Sequence, residues 1–213
     1  MSVRMRKKKN LVPRLAACAA LLEDAPAERK GSWRALFPGK ERLALEIGCG
    51  KGKFTAATAL QEPEQALVAL ERVPEALVMA VEKAAAGSLS NVRYILGDAD
   101  GLAEDFAPGE LDRIYINFCD PWPRKKQAKR RLVHRDYLAV YSSLLKSGGD
   151  VIFKTDNAPL FDFALEEAAA AGFRISGVSR DLAASGIPNV TTEYEEKFMA
   201  LGTPINRAVF TRE

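Results

Sequence analysis

The run Asn117-Phe118-Cys119-Asp120-Pro121-Trp122-Pro123 puts a carboxylate on a turn braced by two prolines, and it leads straight into Arg124-Lys125-Lys126-Gln127-Ala128-Lys129-Arg130-Arg131. Proline fixes its own φ and pushes the residue before it toward extended backbone, so Asp120 and Trp122 are expected in a nearly preset geometry. A carboxylate presented this way can accept hydrogen bonds from a polar substrate, and the basic run beside it suits a polyanion. Three further acids fall where strands are expected to end. Glu46 precedes Gly48-Cys49-Gly50-Lys51-Gly52, Glu71 closes a second apolar run, and Asp98 sits in Gly97-Asp98-Ala99. The glycine pattern is GxGxG. Lys53 stands where a dinucleotide fingerprint would carry its third glycine. Glu71 is placed to accept hydrogen bonds from a ribose diol, as an acid at the end of a second strand does in nucleotide-binding folds.

The elements that would position these residues alternate strand and helix from Leu43 onward. Strands are expected over 43–47, 67–71, 92–96, 111–118, 150–154, 173–178 and 205–211. Helices are expected over 54–60, 75–86, about 135–145, from a cap at Asp156 or Asn157 to Gly172, and over 192–201. Pro74 and Gly87 bracket the second helix, and Thr192-x-x-Glu195 reads as a capping box with Gly202 just past the helix end. This alternation implies an α/β fold, a doubly wound and mainly parallel seven-stranded sheet with helices on both faces. In such sheets ligands bind beyond the carboxyl ends of the strands, where strand order reverses. Residues 1–40 read as a basic tail with a helical appendage, and 41–213 as the principal domain.

Composition excludes several classes. The 213 residues carry a formal charge of +3, yet Arg4, Arg6, Lys7, Lys8 and Lys9 and the six cations from Arg124 to Arg131 lie in stretches without an acid; what remains has 20 basic against 28 acidic residues. Such segregation is the footprint of a phosphate-binding face. Cys18, Cys49 and Cys119 form no CxxC pair, so neither a disulfide framework nor a zinc site is indicated and a reducing compartment is expected. With His134 as the single histidine, a multi-histidine metal site cannot be built; the residue is expected in the first turn of a helix. The longest apolar run, Leu15–Leu22, is far too short to span a bilayer, and the basic start lacks a signal-peptide pattern, so a cytoplasmic protein without membrane or metal is expected.

Taken together, Glu-Ile-Gly-x-Gly-Lys-Gly, the acid ending the second strand, Gly-Asp-Ala, Asn-Phe-x-Asp-Pro-Trp-Pro with its basic run, Lys154-Thr155-Asp156 and Thr192-Glu193-Tyr194-Glu195 resemble the bacterial tRNA (guanine-N7-)-methyltransferase family, class I enzymes dependent on S-adenosyl-L-methionine. The resemblance runs from about Gly31 to Arg212 and implies methyl transfer to N7 of the guanosine at conventional nucleotide position 46, in the variable loop of tRNA. It implies a cofactor site at Glu46, Gly48, Gly50, Glu71, Asp98, Ala99 and Asp120, with Asp120 also the catalytic residue. Substrate contacts are implied at Arg124, Lys126, Lys129, Arg130, Arg131, Asp156, Thr192, Glu193, Tyr194 and Glu195. Relatives of this short type are often homodimers. Cys119 stands where serine is common in the family, Arg124 where lysine is common and Cys49 where threonine is frequent, and none of these removes an essential charge. The tail lacks the Lys-Pro-Trp-Ala stretch of many relatives.

The chemistry is consistent with this resemblance. Guanine N7 already bears a free lone pair, so attack on a sulfonium methyl needs alignment and no general base. Asp120 would accept from guanine N1–H and the 2-amino group. Trp122 has two readings, stacking on an unpaired base or packing under the loop. The helix N-terminus at Thr192 offers free N–H groups, although Glu193 and Glu195 favour hydroxyl or base contacts over phosphate. Three rivals remain at this level: an exocyclic-amine methyltransferase, disfavoured by Trp-Pro in place of Pro-Tyr; a non-catalytic RNA-binding module on the same fold, disfavoured by the intact acids; and an NAD-dependent dehydrogenase, disfavoured by Lys53.

Overall fold

A computed structural model describes residues 9–213. The basic cluster from Arg4 to Lys8 lies outside the described residues, and Lys9 is exposed. The chain divides into two compact units, Met1–Ala107 and Pro108–Glu213.

In the first unit, helix α1 (Leu11–Ala17) precedes β1 (Arg42–Ile47), α2 (Lys53–Gln61), β2 (Gln65–Glu71), α3 (Pro74–Ala86), β3 (Val92–Leu96) and the single-turn α4 (Leu102–Asp105). The pairs β1–β2 and β2–β3 are parallel, with Ile47 opposite Leu70 and Glu71 opposite Leu96. Every residue of β2 is buried, as expected of a strand covered on both faces, which is why it reads as a continuous apolar run. The appendage is tied down by specific contacts. Arg14 makes a two-pronged ion pair with Glu82 of α3 at 2.6 Å, and Leu22 bridges Tyr94 in parallel. Trp33 is fully buried, stacks on Phe106 at 5.1 Å and donates its indole N–H to the Asp105 carbonyl.

The second unit contains β4 (Leu111–Asn117), α5 (Arg135–Leu144), β5 (Leu145–Thr155), α6 (Ala158–Ala170), β6 (Arg174–Ser179), α7 (Glu193–Ala200) and β7 (Asn206–Thr211). Phe153 of β5 stacks on Phe161 of α6 and meets Phe210 of β7, forming the centre of this unit's core. β4 and β5 are parallel. β7 is antiparallel to both β5 and β6, so the sheet is mixed at this edge while remaining mainly parallel, as the strand and helix alternation leads one to expect. The alternating burial of β7 marks it as a strand but carries no information about its direction. The strand order is β3-β2-β1 within the first unit and β4-β5-β7-β6 within the second, seven strands in all with helices on both faces.

Helix ends follow local chemistry. Asn157 caps α6 by accepting from Leu160 N, and Thr192 with Glu195 completes the capping box of α7. His134 is the N-cap of α5, one position before the first turn, its ring accepting from Asp136 N. The basic run forms a 3-10 segment, Lys125–Arg130.

Candidate active site

In the first unit the glycine loop folds over the end of β2. Gly48 and Cys49 donate their N–H groups to the Leu70 carbonyl at 2.8 and 3.0 Å, and Gly50 N donates to Glu71 Oε2 at 2.9 Å. The other oxygen, Oε1, accepts from Val73 N at 2.8 Å. Glu71 therefore fixes both the glycine loop and the start of α3 through one lone pair on each oxygen. A carboxylate has about four acceptor sites, which leaves capacity for ligand hydroxyls. Gly50 has φ +58°, a left-handed conformation that L side chains rarely adopt, and a Cβ there would meet nothing within 4 Å. Gly52 serves packing as well, since a Cβ would lie 2.6 Å from that of Ala80 in α3.

Glu46 is only 1% exposed and accepts from Thr55 Oγ1 of α2 at 2.6 Å, so it braces the loop from below. Burial pushes the Cys49 thiol well up, with the carboxylates of Glu46 and Glu71 adding to it, which disfavours the nucleophilic thiolate. Asp98 lies at the other extreme, with a side chain 53% exposed and 4.0 Å from Arg72 Nη1. Buried Ala99 opens the 3-10 turn that follows. The open space over Gly48 and Gly50, the residual acceptor capacity of Glu71 and the exposed carboxylate of Asp98 fit a nucleoside with a ribose diol and an exocyclic amine.

In the second unit, β4 ends at buried Asn117 and the turn begins with Phe118 at φ +55°. Phe118 N donates to the Lys154 carbonyl of β5 at 2.9 Å. Burial raises the Cys119 thiol to about 12, with the Asp120 charge contributing. Asp120 is half-buried at the turn. Trp122 has φ +39°, although a residue before proline is expected in extended backbone. The cause is visible in its surroundings. Arg131 Nε reaches the Pro121 and Trp122 carbonyls at 3.1 and 3.3 Å, Nη2 reaches the Trp122 carbonyl at 3.1 Å, and the guanidinium lies 4.3 Å from the Phe163 ring centroid. Arg130 covers the Trp122 ring at 3.9 Å.

The cations expected to meet substrate thus separate into two sets. Arg124, Lys126, Lys129 and Arg130 are exposed, as is Lys125 among them, with Lys129 Nζ 3.8 Å from Asp136. Arg131 is turned onto the loop's own carbonyls. The Thr192–Glu195 segment separates likewise. Thr192 Oγ1 accepts from Glu195 N at 2.8 Å, and the Glu195 side chain, 1% exposed, is ion-paired with Lys154 at 2.8 Å. Glu193 is half-buried, while Tyr194 is 50% exposed with its ring 5.4 Å from Phe118 and 4.7 Å from Phe198. Desolvation first, then the charges of Asp156 and Asp120, raise the Tyr194 phenol, so the three groups share one electrostatic neighbourhood. Lys154 and Asn189, which hold Glu195, belong to none of the site residues expected from sequence; the available signal is a lysine that follows the apolar run Val151-Ile152-Phe153.

Among the described residues, no cluster of three or more His, Cys, Asp or Glu side chains is placed to hold a metal ion, and no helix is long and apolar enough to cross a membrane. Comparison with known proteins matches residues 40–208 to a family described as "Putative methyltransferase". The chain is 42% identical to a tRNA (guanine-N(7)-)-methyltransferase of Clostridioides difficile (strain 630), covering 96% of this chain and 97% of that protein. It is 40% identical to one of Bacillus subtilis (strain 168), covering 97% of each. Among solved structures, an antibiotic-related methyltransferase superposes with a TM-score of 0.64 at 20% identity, over 85% of this chain and 92% of that one, which shows the shared fold. Near-complete alignment at this identity, on a chain with the glycine loop, strand-end acids and Asp-Pro-Trp-Pro turn in place, shows that it belongs to the tRNA (guanine-N(7)-)-methyltransferase family.

Proposed function

We propose that this chain is a cytoplasmic enzyme that transfers the methyl group of S-adenosyl-L-methionine to N7 of guanine in tRNA, at nucleotide 46 of the variable loop. The observation that carries this reading is the half-buried carboxylate of Asp120 on a turn that continues directly into five exposed cations. The family relationship supports the same chemistry.

The first unit's strand ends hold the donor. Glu71 accepts from the ribose hydroxyls while keeping the glycine loop closed, Gly48 and Gly50 let the backbone approach, Asp98 with Ala99 meets the base, and Glu46 braces the loop. When bound, the donor supplies an electrophilic methyl whose bond to sulfur breaks as the bond to N7 forms, the electron pair passing to sulfur. No proton is taken from N7, so Asp120 works as a positioning acceptor for guanine N1–H and the 2-amino group. Alignment of this kind is where binding energy lowers the barrier most. Arg124, Lys126, Lys129 and Arg130 hold the phosphate backbone through contacts that salt weakens. Asp156, Glu193 and Tyr194 complete the guanosine side.

The test is transfer of labelled methyl from S-adenosyl-L-methionine to unmodified bulk tRNA, followed by nucleoside analysis and by chain cleavage at 7-methylguanosine. The expected product is 7-methylguanosine at one variable-loop nucleotide. Label in an exocyclic N-methyl nucleoside, or none at all, would reject the proposal.

A further inference from the structure

Lys154 is the penultimate residue of β5, and its side chain is 2% exposed. A buried ammonium is tolerated only when its donors are matched, and here three acceptors surround it: Glu195 Oε2 at 2.8 Å, the Val190 carbonyl at 2.8 Å and Asn189 Oδ1 at 3.0 Å. Glu195 is matched in turn, since it also accepts from Asn189 Nδ2 and from Thr192 N. Neither member of the pair can turn toward a substrate without stranding the other's charge in the interior.

The same residue holds the Asp120 turn. The Lys154 carbonyl accepts from Phe118 N, two residues before Asp120, and Phe118 packs against Tyr194, one residue before Glu195. Side chain, main chain and ring contact therefore close a circuit: β5 to the start of α7, α7 to Phe118 through Tyr194, and Phe118 back to β5. Phe118 sits in the left-handed region, where a non-glycine residue persists only if its surroundings over-determine it. We infer that Lys154 is a positioning residue for methyl transfer, acting through Glu195 to seat Tyr194 on Phe118 and so fix the turn that carries Asp120. On this inference, which rests on the proposed role of Asp120, Glu195 and Thr192 serve the reaction without touching RNA, and Tyr194, with Glu193 before it, is the part of α7 that meets the guanosine.

The experiment uses the full chain with two variants. Lys154→Met/Glu195→Leu replaces the ion pair by apolar side chains of similar size, a change that commonly leaves folding stability intact. Tyr194→Ala alters an exposed position and leaves the pair alone. Single-turnover methylation at saturating tRNA is expected to fall about 10- to 100-fold in both, the scale of a displacement near the reacting groups. S-adenosyl-L-methionine affinity and the salt dependence of tRNA binding are expected to stay unchanged. Hydrogen exchange in the double variant is expected to rise in residues 117–120 as well as 189–195, a readout that needs no turnover. Faster exchange confined to 189–195, or an unchanged rate in Tyr194→Ala, would overturn the inference. Absence of N7 methylation by the wild-type chain would instead strike the proposed function, while leaving the exchange result interpretable.

Discussion

Arg131 offers the sharpest separation between a cation that binds RNA and one that builds the site. Its guanidinium spans the Pro121 and Trp122 carbonyls and lies over Phe163. Hydrogen bonds to a charged donor contribute about 1.5–3 kcal/mol each. The two carbonyls belong to half-buried residues and regain water when the fork is removed, so the combined loss, ring contact included, is about 2–3 kcal/mol. If all of it weighs on the population of the ordered turn, methylation slows by at most about 30- to 150-fold. Arg131→Ala and Arg131→Lys are to be compared by single-turnover rate and by the slope of log affinity for tRNA against log salt. Lysine keeps the charge and loses the fork, so on this reasoning both variants slow the reaction while the salt slope stays that of the wild type. A phosphate contact predicts the reverse, with a normal rate and slope in Arg131→Lys and a slope smaller by about 0.7–0.9 in Arg131→Ala. That second pattern would refute the assignment of Arg131 to the turn.

Replacing Lys125, Lys126, Lys129 and Arg130 together by Ala should lower the salt slope by about 0.7–0.9 for each phosphate that is no longer neutralised, with calorimetric binding of S-adenosyl-L-methionine unaffected. An unchanged slope would mean that this face does not meet RNA. Glu71→Ala should weaken S-adenosyl-L-methionine by about 1.5–3 kcal/mol in the same calorimetry, since it removes acceptors for the ribose and frees Gly50 N and Val73 N together; full-strength binding would remove Glu71 from the cofactor site. The Glu167 carboxyl is held below the ordinary glutamate range chiefly by the Arg135 guanidinium, so the stability it contributes is present above the unfolded-state pKa of about 4.3 and is lost as pH falls through that value toward the lower folded-state pKa. Denaturation at pH 7 and pH 4 should therefore show the gap between wild type and Glu167→Gln narrowing in acid; a constant gap would contradict the linkage.

Strand β3 matches its expected limits because Val92, Tyr94, Ile95 and Leu96 are strand-favouring residues in a short run bounded by Asn91 and Gly97, and the capping box of α7 is visible because its two members lie three positions apart. Direction is a different matter, since residue alternation is the same for a parallel and an antiparallel strand, and β7 could be placed but not oriented. Within the candidate site, residue type was legible and orientation was not. Arg130 and Arg131 are adjacent and chemically identical, yet one lies over an indole at the surface and the other under the turn. Glu195 reads as a capping-box acid and a substrate contact until Lys154, 41 positions upstream, is seen beside it. Trp122 departs from the rule for residues before proline because tertiary contacts at its carbonyl outweigh a local preference.

The left-handed backbones of Phe118 and Trp122 also bear on how this protein tolerates change. Both are bulky residues held where glycine would rest without strain, at a cost of the order of 1–3 kcal/mol each. Selection for heat resistance alone would find glycine or asparagine attractive at these two positions, and each such gain would delete a ring that the turn uses, Phe118 beneath Tyr194 or Trp122 beneath Arg130. Thermostable forms that stay active must find their extra stability elsewhere in the chain, leaving these two residues as a fixed tax on the folded state.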